Sequence, residues 1–496
     1  MSLPVVVLGA GPAGLTAAYS LGKKSVPVVV LESDPEYVGG ISRTVKYKGY
    51  HFDIGGHRFF SKAKEVEDLW TEILPDDMVL RPRSSRIFYN GQFFAYPLKG
   101  IEALTKLGVL EATRCVAAYA KARALPNPSP RNYQEWVTNQ FGSRLFEIFF
   151  KTYTEKVWGM KCTDISADWA AQRIKGLSLS SAIKNALLPQ KKQPKDRKEV
   201  IKTLIDSFRY PRLGPGMLWE ECARKVKAQG GTIEMGCRAE TLDYSEDRGS
   251  WRIGFVRQDG SRGTIDGRAV ISSAPLREVA KALEPKLSAE AVRAANALRY
   301  RDFLTVTLML EDKNVFDDNW IYIHDPSVKV GRIQNFKSWS PEMIPDPKMT
   351  CYGLEYFCFE GDGLWSSSDE ELVELAKREL EAIGIAKASD VKDGCVVRQP
   401  KAYPVYDDDY AANVDIIRRE MEKRFPTLYP VGRNGMHKYN NQDHAMMTAM
   451  LTAENIVAGK RAFDVWEVNQ DAEYHESGKA GAETLGLRSV PTRAAS

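Results

Sequence analysis

The sequence predicts an α/β fold in which a parallel, doubly wound sheet domain is interrupted by a helical insertion and by a second, antiparallel sheet. Three observations predict it. The chain opens on a β-branched run that breaks into closely spaced glycines and then into an Ala/Leu-rich helical pattern. Residues 101–208 carry apolar positions at three- and four-residue spacing, the period of a helix surface. Residues 301–400 instead hold the strand-like runs "FLTVTLMLE", "WIYIHD" and "GRIQNFKSW".

The first element is "PVVVLGAGPAGLTAAYSL", a strand, a glycine turn and a helix of the Rossmann type. Gly9 allows the tight turn, Gly11 lets backbone approach a pyrophosphate, and Gly14 lets the helix pack on the strand, while the helix N-terminus points N–H groups at the anion. A second strand, "PVVVLE", ends in Glu32, eighteen residues past Gly14, where a carboxylate accepts from an adenosine ribose. The apolar start has no basic leader and no cleavage site, and it reads as a buried first strand. Next, "VGGISRTVKYKGYHFDIGGHRFFS" places two glycine pairs, Gly39-Gly40 and Gly55-Gly56, around a short hairpin, with Arg43 and His57 just beyond them. Such pairs permit positive φ or the approach of backbone to a flat ligand.

The helical insertion follows, ending in a Lys- and Pro-rich break at 189–199 that reads as a surface loop. Helix and strand return from about residue 209, so the nucleotide domain is expected to comprise 1–100, 209–300 and 401–466. The helical insertion is 101–208, the sheet domain facing the substrate 301–400, and the tail 467–496, which lacks a hydrophobic period, is predicted to be disordered.

Composition narrows the function. A charge of +4 on 496 residues, with no basic run beyond "KKQPKDRK", gives no argument for nucleic acid. No window reaches the roughly 18 apolar residues of a membrane span. The seven cysteines lack metal or disulfide spacing, which points to a reducing, cytoplasmic setting and to no metal site. GxSxG and HExxH are both missing, so the chemistry falls to a cofactor held by the nucleotide fold, with the protein supplying orientation and charge.

The glycine-paired hairpin resembles the extended FAD signature of glutathione-reductase-like flavoproteins, among them amine oxidases, protoporphyrinogen oxidases and carotenoid desaturases. Over about residues 1–460, "FDIGGHRFFS", "RIFYNGQFFAYPL", "FKTYTEKVWGMKCTDISADWAAQRI", "WIYIHDPSVKVGRIQNFKSWSP", "KAYPVY" and "GRNGMHKYNNQDHAMMTAMLTAENI" resemble, in order, the UDP-galactopyranose mutases of the larger eukaryotic type. That resemblance implies an isomerase working through a reduced-flavin N5 adduct, exchanging pyranose and furanose forms of a UDP-sugar without net oxidation. The alternative is an FAD-dependent oxidoreductase of the amine oxidase, protoporphyrinogen oxidase or desaturase kind. NAD(P)H is expected only as a transient reductant in the same cleft.

The resemblance also assigns residues. His57 matches the histidine beside the flavin N5, and Arg173 and Arg332 match two arginines that clamp the substrate pyrophosphate. Tyr322, Tyr403 and Tyr439 match tyrosines reaching the diphosphate, and Trp158 is read either as stacking on a sugar or base or as packing within the helical insertion. Asn441, Gln442, Asp443 and His444 match the segment that returns to the flavin. Asn441 is also expected near the sugar, and the following helix is expected to aim its N-terminus at the isoalloxazine C2 carbonyl. The chain is two residues shorter between Tyr439 and Asn441-Gln442 than the family pattern.

Overall fold

A computed structural model describes residues 3–96, 98–167 and 207–468. Arg173, the Lys/Pro-rich stretch at 189–199 and the predicted tail past residue 468 lie outside them.

The valine runs of the N-terminus form the centre of a five-stranded parallel sheet, ordered Leu428–Pro430, Ala269–Ser272, Val5–Leu8, Val28–Leu31, Thr232–Glu234. Val5 lies opposite Val28 on one side and Ala269 on the other. All four residues of Val5–Leu8 are buried, as the uninterrupted apolar sequence demands of a strand covered on both faces. The helix Pro12–Gly22 starts with proline at its first position, where the missing N–H costs nothing. It packs along the helix Gln442–Ala458. Ala13, Ala17 and Ala18 on the first and Ala445, Ala449 and Ala453 on the second are buried, and small side chains let the two axes approach. Helices from early and late in the described residues thus pack together beside the glycine turn.

The second sheet has seven strands in the order Val391–Pro404, Tyr300–Glu311, Met349–Cys358, Arg332–Asn335, Trp320–Ile323, Ser85–Tyr89, Gln92–Ala95. Every pairing is antiparallel except Trp320–Ile323 with Ser85–Tyr89. The helix Asp369–Ala382 covers one face, burying Leu372, Ala376 and Leu380 with Leu304, Val306 and Leu308. Its start is a capping box: Ser368 Oγ accepts from the Glu371 N–H at 3.2 Å, and the Glu371 carboxylate accepts from the Ser368 N–H at 3.0 Å.

Two boundaries differ from the sequence expectation. Residues 85–95 were placed with the nucleotide domain, but they add two strands to the edge of the second sheet. Val391–Pro404 runs past the expected limit at 400. In both cases pairing with a distant strand, which local pattern does not encode, decides membership.

Cys237–Ser245, Ser250–Arg257 and Arg262–Gly267 form an antiparallel sheet beside the parallel one, and Thr44–Tyr47 pairs with Tyr50–Asp53 as the glycine-flanked hairpin. The described part of the helical insertion includes Val109–Ala124, Tyr133–Phe141, Ser143–Phe146, a π-helical turn Glu147–Lys151 and Thr152–Trp158. A π turn inserts one residue and so re-aims the helix that follows it. Among the described residues no helix is long and apolar enough to cross a membrane.

Candidate functional site

Gly9 has φ +96°, and a Cβ built on Gly14 would lie 1.8 Å from the Gly9 carbonyl oxygen. The turn therefore closes only around two glycines. Beside it the chain passes Gly39 and Gly40: the Gly39 N–H donates to the Ala10 carbonyl at 2.8 Å, and a Cβ on Gly40 would stand 3.3 Å from Gly11 Cα. Gly11 and Gly40 thus face each other with backbone alone, a cradle that side chains would fill. Arg43 donates through Nη1 to the Gly40 carbonyl at 3.0 Å and to Gln399 at 2.7 Å. Burial lowers its pKa, against the opposing pull of Asp34 and Glu32.

Glu32 closes the far end. Its Oε2 accepts from the Ala10 N–H at 2.5 Å, and its Oε1 from the Asp34 N–H at 2.8 Å and from Ser33 Oγ at 3.2 Å. An ionised carboxylate accepts at about four sites, so one remains for a ligand hydroxyl. Burial raises its pKa, and the bonds from Asp34 and Ala10 oppose that rise. The glycine cradle, the cation at its edge and the fixed acceptor at its end fit a dinucleotide.

The second glycine pair lies against residues of the second sheet, Gly55 beside Arg332 and Phe303 and Gly56 beside Gln334. Gly55 has φ +85°, and a Cβ there would meet Arg332 Nη2 at 3.7 Å and the His57 ring at 3.9 Å. His57 Nδ1 lies 3.1 Å from the Gly55 carbonyl. A carbonyl only accepts, so Nδ1 carries the proton and Nε2 keeps its lone pair. Burial, then Arg433 and Arg332, pulls the His57 pKa down to about 3, in a residue that is partly exposed as a whole. The imidazole is neutral at ordinary pH.

Arg332 stands opposite Glu355 on the neighbouring strand, and its Nε donates to the Glu355 carboxylate at 2.5 Å. Gln334 Nε2 holds the other oxygen at 2.7 Å, and Glu355 is fully buried. One of the five guanidinium donors is thereby fixed, and Nη2 lies toward Gly55. Tyr322 lies directly across from Arg332 in the sheet and packs on Tyr153, with ring centroids 5.3 Å apart. On the other side Tyr403 and Tyr439 stack at 5.6 Å, and Arg433 lies over both rings, 5.2 and 5.0 Å from their centroids. Arg433 is tied by Nε to the Asn440 carbonyl at 2.9 Å and by Nη1 to the Ala402 carbonyl at 3.1 Å, with no carboxylate partner among the described residues. Arg332 and Arg433, with Tyr322, Tyr403 and Tyr439 beside them, thus lie close to a neutral histidine, an arrangement with donors for an anion.

The segment 441–444 reaches this loop from the C-terminal side. Asn441 caps the helix Gln442–Ala458, its N–H donating to His444 Nδ1 at 3.3 Å. Gln442 Nε2 donates to the Arg58 carbonyl at 3.1 Å, next to His57, and Asp443 accepts from Ser61 Oγ at 3.2 Å. The N-terminal end of the helix is therefore fastened to the 57–61 loop.

His57, Arg332, Tyr322, Tyr403 and Tyr439 come together, and Gly9, Gly11, Gly14, Glu32, Gly40 and Arg43 line the adjoining cradle. Of the two readings of Trp158 the structure fits the packing one: at 3% exposed it lies in the core, its ring 6.4 Å from that of Tyr439. Arg173 lies outside the described residues. Three residues were not singled out as site candidates. Glu355 left a trace, as an acid inside the apolar strand "CYGLEYFC". Arg433 appears only between glycines in "VGRNGM", and Tyr153 is one aromatic among several in its helix.

The sequence profile of the flavin containing amine oxidoreductases matches residues 12–406. A crystal structure of reduced UDP-galactopyranose mutase superposes with a TM-score of 0.78 at 20% identity, covering 92% of this chain and 96% of that one, which speaks to the fold. A protein of Mycobacterium tuberculosis inferred to be the flavin-containing monoamine oxidase AofH is 24% identical over 58% of this chain and 61% of its own length. An inferred UDP-galactopyranose mutase of Klebsiella pneumoniae is 26% identical over 33% of this chain and 43% of its own length. The chain spans 26% to 61% of the length of the curated relatives it matches. With four-fifths of its residues inside one family profile and the same fold around a glycine cradle, the chain belongs to the flavin containing amine oxidoreductase family.

Proposed function

We propose that this chain is an FAD-dependent mutase interconverting the pyranose and furanose forms of a UDP-sugar of the UDP-galactose kind. The observation that carries the reading is the pair of guanidiniums, Arg332 and Arg433, held with Tyr322, Tyr403 and Tyr439 around the Gly55–His57 turn. A diphosphate leaving group calls for such donors, which neutralise charge and grip paired oxygens. Arg433, the cation of the two without a carboxylate partner among the described residues, disfavours a cationic amine substrate.

Gly9, Gly11, Gly14, Gly40 and Arg43 would hold the FAD pyrophosphate, and Glu32 the adenosine ribose. Gly55, Gly56 and His57 would lie along the isoalloxazine edge, with Asn441, Gln442 and Asp443 bringing the helix N-terminus to its pyrimidine side. Reduced flavin supplies a nucleophilic nitrogen and needs no net electron transfer. Around it, neutral His57 offers an acceptor at Nε2, Arg332 and Arg433 neutralise the departing diphosphate, and the tyrosine hydroxyls donate to it. Arg173 is proposed to join them.

The test is direct. Dithionite-reduced protein mixed with UDP-galactofuranose should yield the pyranose, followed by chromatography, and oxidised protein should not. A second reading, an oxidoreductase, is favoured by the family profile and by the Mycobacterium tuberculosis relative. Oxygen uptake by the oxidised protein on an amine panel, with no sugar turnover in the reduced state, would establish that reading instead.

A further inference from the structure

We infer that Lys156 and Glu379 form a matched pair of positioning residues that lock the turn between Ile323 and Arg332 and so set the Arg332 guanidinium beside Gly55. This turn joins the strands Trp320–Ile323 and Arg332–Asn335, and it carries Tyr322 and Arg332 as opposite partners at its mouth. Lys156, on the helix Thr152–Trp158, donates its three ammonium protons to three carbonyls of the turn: Ile323 at 3.2 Å, Asp325 at 2.6 Å and Val330 at 3.1 Å. Glu379, on the helix covering the other face, accepts from the Lys329 N–H at 2.6 Å and the Val330 N–H at 2.9 Å, and from the Tyr356 hydroxyl at 3.1 Å.

The turn's acceptors thus face a cation and its donors face an anion, with Val330 serving both. Glu379 is 7% exposed and sits in the last turn of its helix, where the macrodipole disfavours an acid. The helix gains nothing from a carboxylate there, and the turn amides do. Arg301 completes the grip from the sheet side. It is buried, and donates to the Val157 and Lys156 carbonyls at 3.0 and 3.2 Å and to the Phe357 carbonyl at 2.8 Å, fastening the helix that carries Lys156 two residues from Glu355 on its strand.

The functional readout rests on the proposed grip of Arg332 on a diphosphate, and the structural readout does not. On the FAD-loaded full chain, Lys156→Met should speed amide exchange in residues 324–331 by at least about tenfold, with exchange in Val5–Leu8 unchanged. Affinity for UDP, used as the probe, should fall about tenfold, Lys156→Arg should recover most of both effects, and Glu379→Gln should shift both in the same direction. Combined with Arg332→Ala, Lys156→Met should weaken UDP binding no further than Arg332→Ala alone. Unchanged exchange in the turn, or losses that multiply in the double variant, would overturn the lock. If Lys156→Met fails to fold, Glu379→Gln and Lys156→Arg decide by the same readouts. A wild-type chain that binds no UDP would refute the diphosphate reading, and turn exchange would still decide the lock.

Discussion

At the scale of single residues, Arg332 and Glu355 define each other. They face across neighbouring strands, and Glu355 has no exposed surface. Removing the arginine alone leaves a buried carboxylate without its cation, which costs about 3–5 kcal/mol. Arg332→Ala is therefore expected to melt earlier, to raise KM for the nucleotide sugar and to lower kcat, while retaining FAD. Adding Glu355→Gln removes the stranded charge, and a glutamine oxygen still accepts from Gln334 Nε2. The double variant should regain most of the lost stability and none of the activity. Thermal melts beside steady-state kinetics separate the two effects, and recovered activity in the double variant would reduce Arg332 to a structural cation.

At the scale of elements, the strand, turn and helix at the N-terminus depend on an absent side chain. Because a Cβ at Gly14 would sit 1.8 Å from the Gly9 carbonyl oxygen, Gly14→Ala must push the helix Pro12–Gly22 off the strand Val5–Leu8. The expected outcome is protein purified without flavin absorbance and with a lowered Tm, and normal flavin content would show that the turn tolerates a displaced helix. This element was legible because its chemistry is local: glycines, a valine run and Glu32 lie within one βαβ unit. The strand Ser85–Tyr89 was legible only as part of a family-like motif, placed with the nucleotide domain and not with the second sheet. Its partners lie far along the chain, the Ser84 N–H meeting Asn319 Oδ1 at a separation of 235 residues. Motif context brought out His57 and Arg332. The same context left Trp158 open between stacking and packing, since sequence names an aromatic without saying which face the fold covers. Tyr153 escaped because its aim depends on the π turn Glu147–Lys151, which has no sequence signature.

At the scale of the whole molecule, three histidines from distant parts of the chain are held neutral together. Burial pulls His57 and His324 down to about 3 and His437 to about 4, with Arg433 and Arg332 adding to the effect at His57 and Lys156 at His324. In the unfolded chain each binds a proton near pH 6.5. Between that pH and the folded pKa the unfolded state holds more protons, so stability is complete above about pH 6.5 and is lost as pH falls, by up to about 1.4 kcal/mol per unit for each histidine. Asp53 works in the opposite sense. Burial raises its pKa to about 8, so it disfavours the fold as pH rises above the ordinary carboxylate range. Glu32, whose pKa burial also raises, acts in the same sense as Asp53, so the histidine contribution is isolated by removing one histidine. His324 is the cleanest member to test, since it is 4% exposed and its ring stacks on Tyr153 at 4.9 Å, a contact that phenylalanine preserves. Urea unfolding of FAD-loaded wild type and His324→Phe at pH 6.5 and 4.5 should give a smaller acid loss in the variant, by up to roughly 2.7 kcal/mol over the two units. Equal losses in the two proteins would mean that His324 takes up its proton without unfolding, and that acid sensitivity arises elsewhere in the chain.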